Sequence, residues 1–576
     1  MIQKCLFKVL TFLLLSIFSI IMVKAQKSSL KDYNVAWSKP GINSYGSMPI
    51  GNGDIGANVW VEENSDLVFY ISKTDAWSEI GRLLKLGKVR IRITPNPFKK
   101  ESFLQELKLE NGEISFNYGQ TKINFWIDAN NPAIQVDVNS KNPVNVQVTY
   151  ENWRKTRHKI SGKEGFSAYG VEYNDDFPIF QEADTILTNN NNQIISCHHN
   201  KYSHWKENLE LQALGDFAKT NTDPLLYRTY GILIESDGLL KNADTVLISN
   251  KAAKKFQINI FPLTHTGTID SWQAKILNNA ADINKIPFNT RKEAHYNWWQ
   301  QFWNRNYIFV TSKDTSSRRQ AETVTQGYIL QRYINACGGR GNSPIKFNGS
   351  IFTVDSYNDT SKVYKGLDAD YRSWGGCYWF QNTRLPYWSM LVSGDFDMMK
   401  PLFEMYFRAL PIRKIATQKY YKHNGAFYPE TMNFWGTYND DDFGSIRKGW
   451  DDGYISNPYI RYHWQGGLEI SLMMLDYYNF TKNARFAKDT LVPFVSEILT
   501  FFNQHWQNGA DGKILFSPAI SLETWHTAVN PLPEIIGINT VGKKMLALPD
   551  SFSSQSQRQE WAQLVTRLPK SAIKVG

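Results

Sequence analysis

Cysteine is scarce in this chain, with four in 576 residues. Cys5 falls in an apolar N-terminal leader, which leaves Cys197, Cys337 and Cys377 for the folded part. An odd, sparse set excludes a disulfide framework, so buried free thiols are expected. Cys197 adjoins His198 and His199, but no second cluster follows at metal-ligand spacing, and no metal site is expected. Long Lys/Arg runs are also missing, although the formal net charge is +10. Nucleic-acid binding is therefore not implied. No Gly-rich phosphate loop, Gly-x-Ser-x-Gly elbow or His-Glu-x-x-His pair occurs, and no cofactor is expected.

Long apolar runs are absent apart from Val9 to Val23, which is short for a membrane span. Lys4 and Lys8 precede it and Val23-Lys24-Ala25 follows, the pattern of a secretory signal cleaved near Ala25. Cleavage would remove Lys4, Lys8 and Lys24 and no acid, taking the charge from +10 to +7. A secreted or periplasmic protein is expected, with no membrane span after cleavage. Cys5 precedes the apolar run, which argues against a lipid anchor at the cleavage site.

Aromatic residues are abundant, at 14% with 19 Trp. Many must form core, but the excess favours a protein that stacks flat ligands, sugars foremost. Residues 28–275 alternate in short runs such as Asp66–Ser72, Val89–Thr94, Ile123–Asp128 and Ala133–Val138. Turn formers such as Asn111-Gly112 and Asn130-Asn131-Pro132 divide them, which predicts a large antiparallel β-sandwich. A linker over 276–315 carries helical spacing at His295, Trp298, Trp299, Phe302 and Trp303. Helices are then expected over 318–337, 378–392, 395–411, 461–478, 484–507, 539–548 and 554–567. Helical hairpins with long aromatic loops on one side suggest an α/α toroid over 316–576, with fewer helices than a closed six-hairpin ring needs.

Several motifs carry a resemblance. Met48-Pro-Ile-Gly-Asn-Gly-Asp-Ile-Gly-Ala57, the helix around His295 to Arg305, Pro344–Gly349, Phe380–Trp388 and Ser517–Glu523 occur in the order found in glycosidases that join a β-sandwich to an (α/α)6 toroid. The chain resembles the inverting α-L-fucosidase and α-L-galactosidase type enzymes of glycoside hydrolase family 95, and the DUF5703 proteins. The resemblance implies that Glu523 is the general acid and that Asn382 positions the attacking water, with Gln381 assisting. It also implies a base, an Asp well beyond Glu523. Phe380 stands where the family has a first asparagine, and only Asp550 follows Glu523, in a helix-capping context. A C-terminally truncated toroid is the expectation that follows.

Inversion needs two carboxyl groups about 6.5–9.5 Å apart on opposite faces of the sugar. An apolar setting around Glu523 would raise its pKa and keep its proton near neutrality; the alternative is a helix-terminus or salt-bridge carboxylate. Arg384 could pair with a loop acid or bind sugar hydroxyls. Trp374, Trp379, Trp435, Trp464 and Trp525 could stack sugars, with Trp435 and Trp525 preferred for their loop settings. Glu430, Asp451 and Asp452 are further acidic candidates, and Lys346 and His526 could contact substrate. Asp440-Asp441-Asp442 reads as a solvated loop. The expected activity is inverting cleavage of an exo-linked fucoside- or galactoside-type sugar from a glycan. The alternatives are an inactive glycan-binding relative, or a phosphorylase of the same architecture, in which phosphate replaces water.

Overall fold

The computed structural model describes residues 29–98, 103–168, 178–189, 191–356 and 366–570. The expected leader lies outside them. No helix among the described residues is long and apolar enough to cross a membrane.

The first domain is a large antiparallel β-structure organised around one long strand, Ile134–Glu151. Its first half pairs with Thr121–Ile127 and Ala253–Thr266. Its second half pairs with Leu83–Thr94 and Val246–Ser249. One strand thus belongs to both layers, and alternation sends every second side chain inward. In Phe103–Lys108 the buried positions are Phe103, Gln105 and Leu107. The layers meet through contacts such as Phe69 edge-on to Phe125, with ring centroids 4.9 Å apart.

Besides the four-residue Gly162–Gly165, two longer helices among the described residues interrupt the all-β expectation. Trp205–Leu211 sits inside the region read as strands, and Ile269–Asn284 begins before the expected linker. The second is started by the Thr268 side chain, which accepts from the Ser271 amide, a cap that satisfies an otherwise orphaned donor. Its Trp272, Ile276, Ala280 and Ile283 form one stripe against Ile195, Leu233, Phe261 and Leu263. The next helix, Phe288–Arg305, buries His295, Trp299, Phe302 and Trp303. Trp303 Nε1 donates to the Leu109 carbonyl at 2.8 Å, which anchors the connection to the sandwich.

The helical domain contains Arg318–Gly338, Leu385–Ser393, Lys400–Tyr421, Gln465–Thr481, Val492–Gln504, Leu532–Leu546 and Gln555–Thr566. The sandwich docks onto the first of these through the turn at 52–54. Gly53 has φ +101°, and its amide donates to the Cys337 carbonyl at 3.0 Å while its carbonyl accepts from the Arg340 amide at 2.8 Å. A Cβ on Gly51 would lie 2.2 Å from that Cys337 carbonyl oxygen, so glycine is required there by close approach. Cys197, Cys337 and Cys377 are buried and unpaired.

The interface also absorbs the acidic run. Asp440 and Asp442 are buried, not solvated as expected. Asp440 accepts from His204 Nε2 at 2.8 Å and Asn208 Nδ2 at 2.6 Å. Asp442 accepts from Thr431 at 2.6 Å and Asn457 at 2.5 Å. A buried carboxylate is tolerated when its lone pairs are filled in this way, and sequence alone does not reveal such distant donors. Among the described residues, no group of three or more His, Cys, Asp or Glu could hold a metal ion.

Candidate active site at the helix starts

Three helices of the second domain begin near one another, at Leu385, Gln465 and Leu532. The segments leading into them carry the polar residues. Glu430 lies just before the short strand Thr431–Met432, which pairs with Tyr378–Trp379. That pairing aims the Glu430 carboxyl at the next turn, where Oε1 accepts the Gln381 amide at 2.6 Å. Its Oε2 lies 3.4 Å from His463 Nδ1. Glu430 is 2% exposed.

Burial pushes Glu430 up to about 8, and the negative charges of Glu523 and Glu469 add to the rise. Burial and the Arg384 cation hold His463 down at about 4. Near neutrality the pair is therefore a protonated carboxyl beside a neutral imidazole, and a proton on Oε2 can be donated to Nδ1, which otherwise has no partner. Glu534 is also pushed up to about 8 by burial. Gln465 Nε2 donates to Glu534 at 2.5 Å and to the Ile520 carbonyl at 2.7 Å, tying this group to the hairpin that carries Glu523. Four buried polar atoms here lack partners among the described residues: Gln381 Oε1, His463 Nδ1, Gln465 Oε1 and Glu534 Oε2. Native proteins rarely leave buried polar atoms orphaned, and a cluster of them marks a place for water or ligand.

Glu523 sits in the hairpin formed by Ala519–Ser521 and Trp525–Ala528. It is exposed, without the apolar enclosure expected of it, because a tight turn of this kind projects its tip into solvent. The carboxyl with that enclosure is Glu430. Glu523 still acts on Glu430 electrostatically, so the two belong to one region. Asn382 is exposed at the end of the short helix Phe380–Thr383, beside Gln381. Arg384 is held by both oxygens of Glu469 at 2.8 Å, and Trp388 Nε1 donates to the same carboxylate at 2.7 Å. Arg384's expected acid partner is thus found on a helix, not a loop.

Other candidates fall elsewhere. Lys346 is 2% exposed, and its ammonium donates to the Gly376 and Cys377 carbonyls; a buried lysine so engaged supports the loop and cannot reach substrate. Trp435 is part-buried, donates to Asn208 at 3.0 Å and packs beside Gly81, so it serves the domain interface, not a sugar platform. Trp464 is 1% exposed and lies in a ring cluster with Phe427, Phe501 and His505. Trp525 and Trp374 are open, at 61% and 48% exposed. His526 packs edge-on to Tyr459 at 4.4 Å. Asp451 and Asp452 are exposed, with Asp452 3.4 Å from Lys419. Asp550 is exposed and pairs with Arg558 at 3.1 Å.

Sequence reasoning missed His463, Gln465, Glu469 and Glu534. One signal was available: Gln465 and Glu469 are four apart on a helix and share a face.

A β-domain leading into a glycosidase-like α/α-toroid domain is the class these features define. Residues 36–308 match the family model described as domain of unknown function DUF5703, and residues 368–569 match that of the glycosyl hydrolase family 95 catalytic domain. Both resemblances carried by the motifs thus recur as partial matches, one over the first part of the chain and one over the second. Among solved structures, a candidate kojibiose phosphorylase from the human microbiome superposes with a TM-score of 0.57 at 10% identity, covering 94% of this chain and 69% of its own. The family 92 glycosyl hydrolase CcMan5 gives a TM-score of 0.36 at 7% identity, with 90% and 60% covered. No curated protein matches the chain.

Proposed function

We propose that this chain acts on a glycan, removing an exo-linked fucoside- or galactoside-type sugar with inversion, as a secreted or periplasmic protein of carbohydrate metabolism. The observation that carries this reading is the enclosed carboxyl of Glu430, bonded to Gln381 beside Asn382 and within electrostatic reach of Glu523, in the domain that matches a glycosidase family. Glu523 serves as acid and Asn382 positions water. An exposed Glu523 acquires its enclosure when a sugar covers the hairpin, with Trp525 as the nearest open ring in sequence.

The test is hydrolysis of aryl α-L-fucosides and α-L-galactosides by the protein and by Glu523→Gln. The substitution should lower kcat/KM by roughly 10²–10⁴-fold. Equal activity in the variant would remove Glu523 from its role.

One observation favours a second reading, a glycan-binding relative without turnover. Inversion needs an ionised base opposite the acid. Yet Glu430 is held protonated near neutrality, and Glu469 is engaged by Arg384 and Trp388. Sugar binding without hydrolysis, unchanged in Glu523→Gln, would establish that reading. The phosphorylase alternative needs a cluster of cationic or hydroxyl groups around the base site, and the Arg384 cation nearest Glu430 is engaged by Glu469.

A further inference from the structure

The sandwich has a second surface with chemistry of its own. A cavity of about 530 Å³ opens on the sheet face lined by Lys108, Lys122, Lys141, Lys254 and Lys255. Strand register explains the grouping. Leu104 pairs with Asn117, Asn117 with Lys122, Lys122 with Asn139 and Asn139 with Lys255. These residues form one row across five strands, and Lys122 and Lys255, two strands apart, stand about 10 Å from each other. Lys141 and Lys254 flank the same end of the sheet.

The charge there is unbalanced. Lys108 has a carboxylate partner, Glu113 at 3.4 Å. Lys122, Lys141, Lys254 and Lys255 are exposed, with no ion pair among the described residues. Glu106 is the one acid lining the cavity, and it is occupied by Asn34 at 3.1 Å. The other end of the same face is handled differently, because Lys292 of the helix Phe288–Arg305 lies 3.2 Å from Glu113 and 3.7 Å from Asp137. The sheet is covered and neutralised at one end, open and cationic at the other.

We propose that this row is a docking surface for a linear anionic polysaccharide carrying sulfate or uronate groups. Charge complementarity selects an anion, and ammonium groups suit point-like charges. The lining holds no aromatic ring and no arginine, so it lacks the stacking platforms that single-stranded nucleic acid uses. Its one large apolar residue is Leu104, 40% exposed, too little for insertion into a lipid surface. The polysaccharide, not the oligonucleotide, is also the polymer suited to a chain with a glycosidase-type domain. For that choice of polymer the inference rests on the glycan reading, but it does not require turnover.

The test measures binding of the full chain to dextran sulfate, polygalacturonate, neutral dextran and a single-stranded oligonucleotide by calorimetry at low and high salt. Dextran sulfate or polygalacturonate should bind and neutral dextran should not, with binding lost at high salt as the charges are screened. Lys122→Gln/Lys141→Gln/Lys254→Gln/Lys255→Gln should weaken binding at least tenfold. The same change in charge at Lys275, Lys313, Lys448 and Lys482 should leave it within twofold. Equal loss in both quadruple variants, no loss in the first, or tighter binding of the oligonucleotide would each overturn the proposal. Glu523→Gln should bind the polysaccharide as the parent does, so failure of the hydrolase reading and failure of this one are separable.

Discussion

Two glutamates, both essentially fully buried, show how the two domains differ. In the sandwich, Glu79 is 0% exposed. Burial alone would raise it, but the His198 charge and hydrogen bonds outweigh that and hold it below the usual carboxylate range. His198 in turn is flanked by Asp184 at 2.9 Å and rises to about 9. Asp184 pairs with Arg154, and Arg154 with Asp370, at 2.8 and 2.6 Å. Every charge there has an opposite neighbour. In the helical domain Glu430 faces a neutral imidazole and two further acids, burial outweighs the one cation nearby, Arg384, and it moves the other way, to about 8. The Glu79 network uses its buried charges to fix structure. The helical domain holds a buried proton next to orphaned polar atoms, an arrangement that structure alone does not require and that functional sites favour.

The sharpest way to break this comparison is pH. Glu430 and Glu534 have folded pKa values raised from 4.5 to about 8. Each therefore contributes stability that is whole below the unfolded value and lost as pH rises through about 8. The double variant Glu430→Gln/Glu534→Gln should remove roughly 8 kcal/mol of that loss between pH 5 and 9, about 4 from each carboxyl, read as a flatter urea midpoint. A smaller alkaline fall should persist from His198, whose contribution is whole below 6.5 and lost as pH rises through about 9. A variant as pH-sensitive as the parent would show that Glu430 is not held protonated.

His198→Ala probes the other side. It leaves Glu79 and Asp184 buried without the imidazolium between them, and should cost about 3–5 kcal/mol, measured by urea unfolding at pH 7. A loss under about 1 kcal/mol would mean the sandwich network is not a paired-charge structure. Arg384→Met should cost only about 1 kcal/mol, since its pair with Glu469 is partly solvated. It should also raise Glu430 further, because a nearby cation is lost, and carboxyl NMR resonances would report the shift. Smallest is Lys414→Ala, which breaks a surface contact with Glu497 and should change stability by less than about 0.5 kcal/mol.

Much of the fold was legible in the chain. The helices expected over 318–337 and 554–567 are Arg318–Gly338 and Gln555–Thr566, because a long periodic stripe declares itself within a single segment. The helices Trp205–Leu211 and Ile269–Asn284 were hidden by a strand-rich context and a boundary set by tertiary packing. The candidate site was legible in part. Glu523, Asn382, Gln381, Arg384 and Glu430 were named by motif or residue type; in the structure Gln381 and Arg384 lie beside Glu430 and Glu469, and Glu523 acts on Glu430 from a nearby hairpin. Trp435, a preferred platform, and Lys346 and Trp464 were also named, and their packing against other elements takes them away from the site.

The amino-acid order alone determined a β-domain followed by helices, the sequence of family motifs, and a cysteine set too small for a framework. These properties are local, set by alternation, helical spacing and turn chemistry. Which carboxyl is enclosed and which is open was decided only in three dimensions. Glu430 owes its state first to burial, with Glu523 and Glu469 adding to the rise and the Gln381 amide and Arg384 opposing it. Electrostatic environment sums over distance in space, and these neighbours are dispersed along the chain.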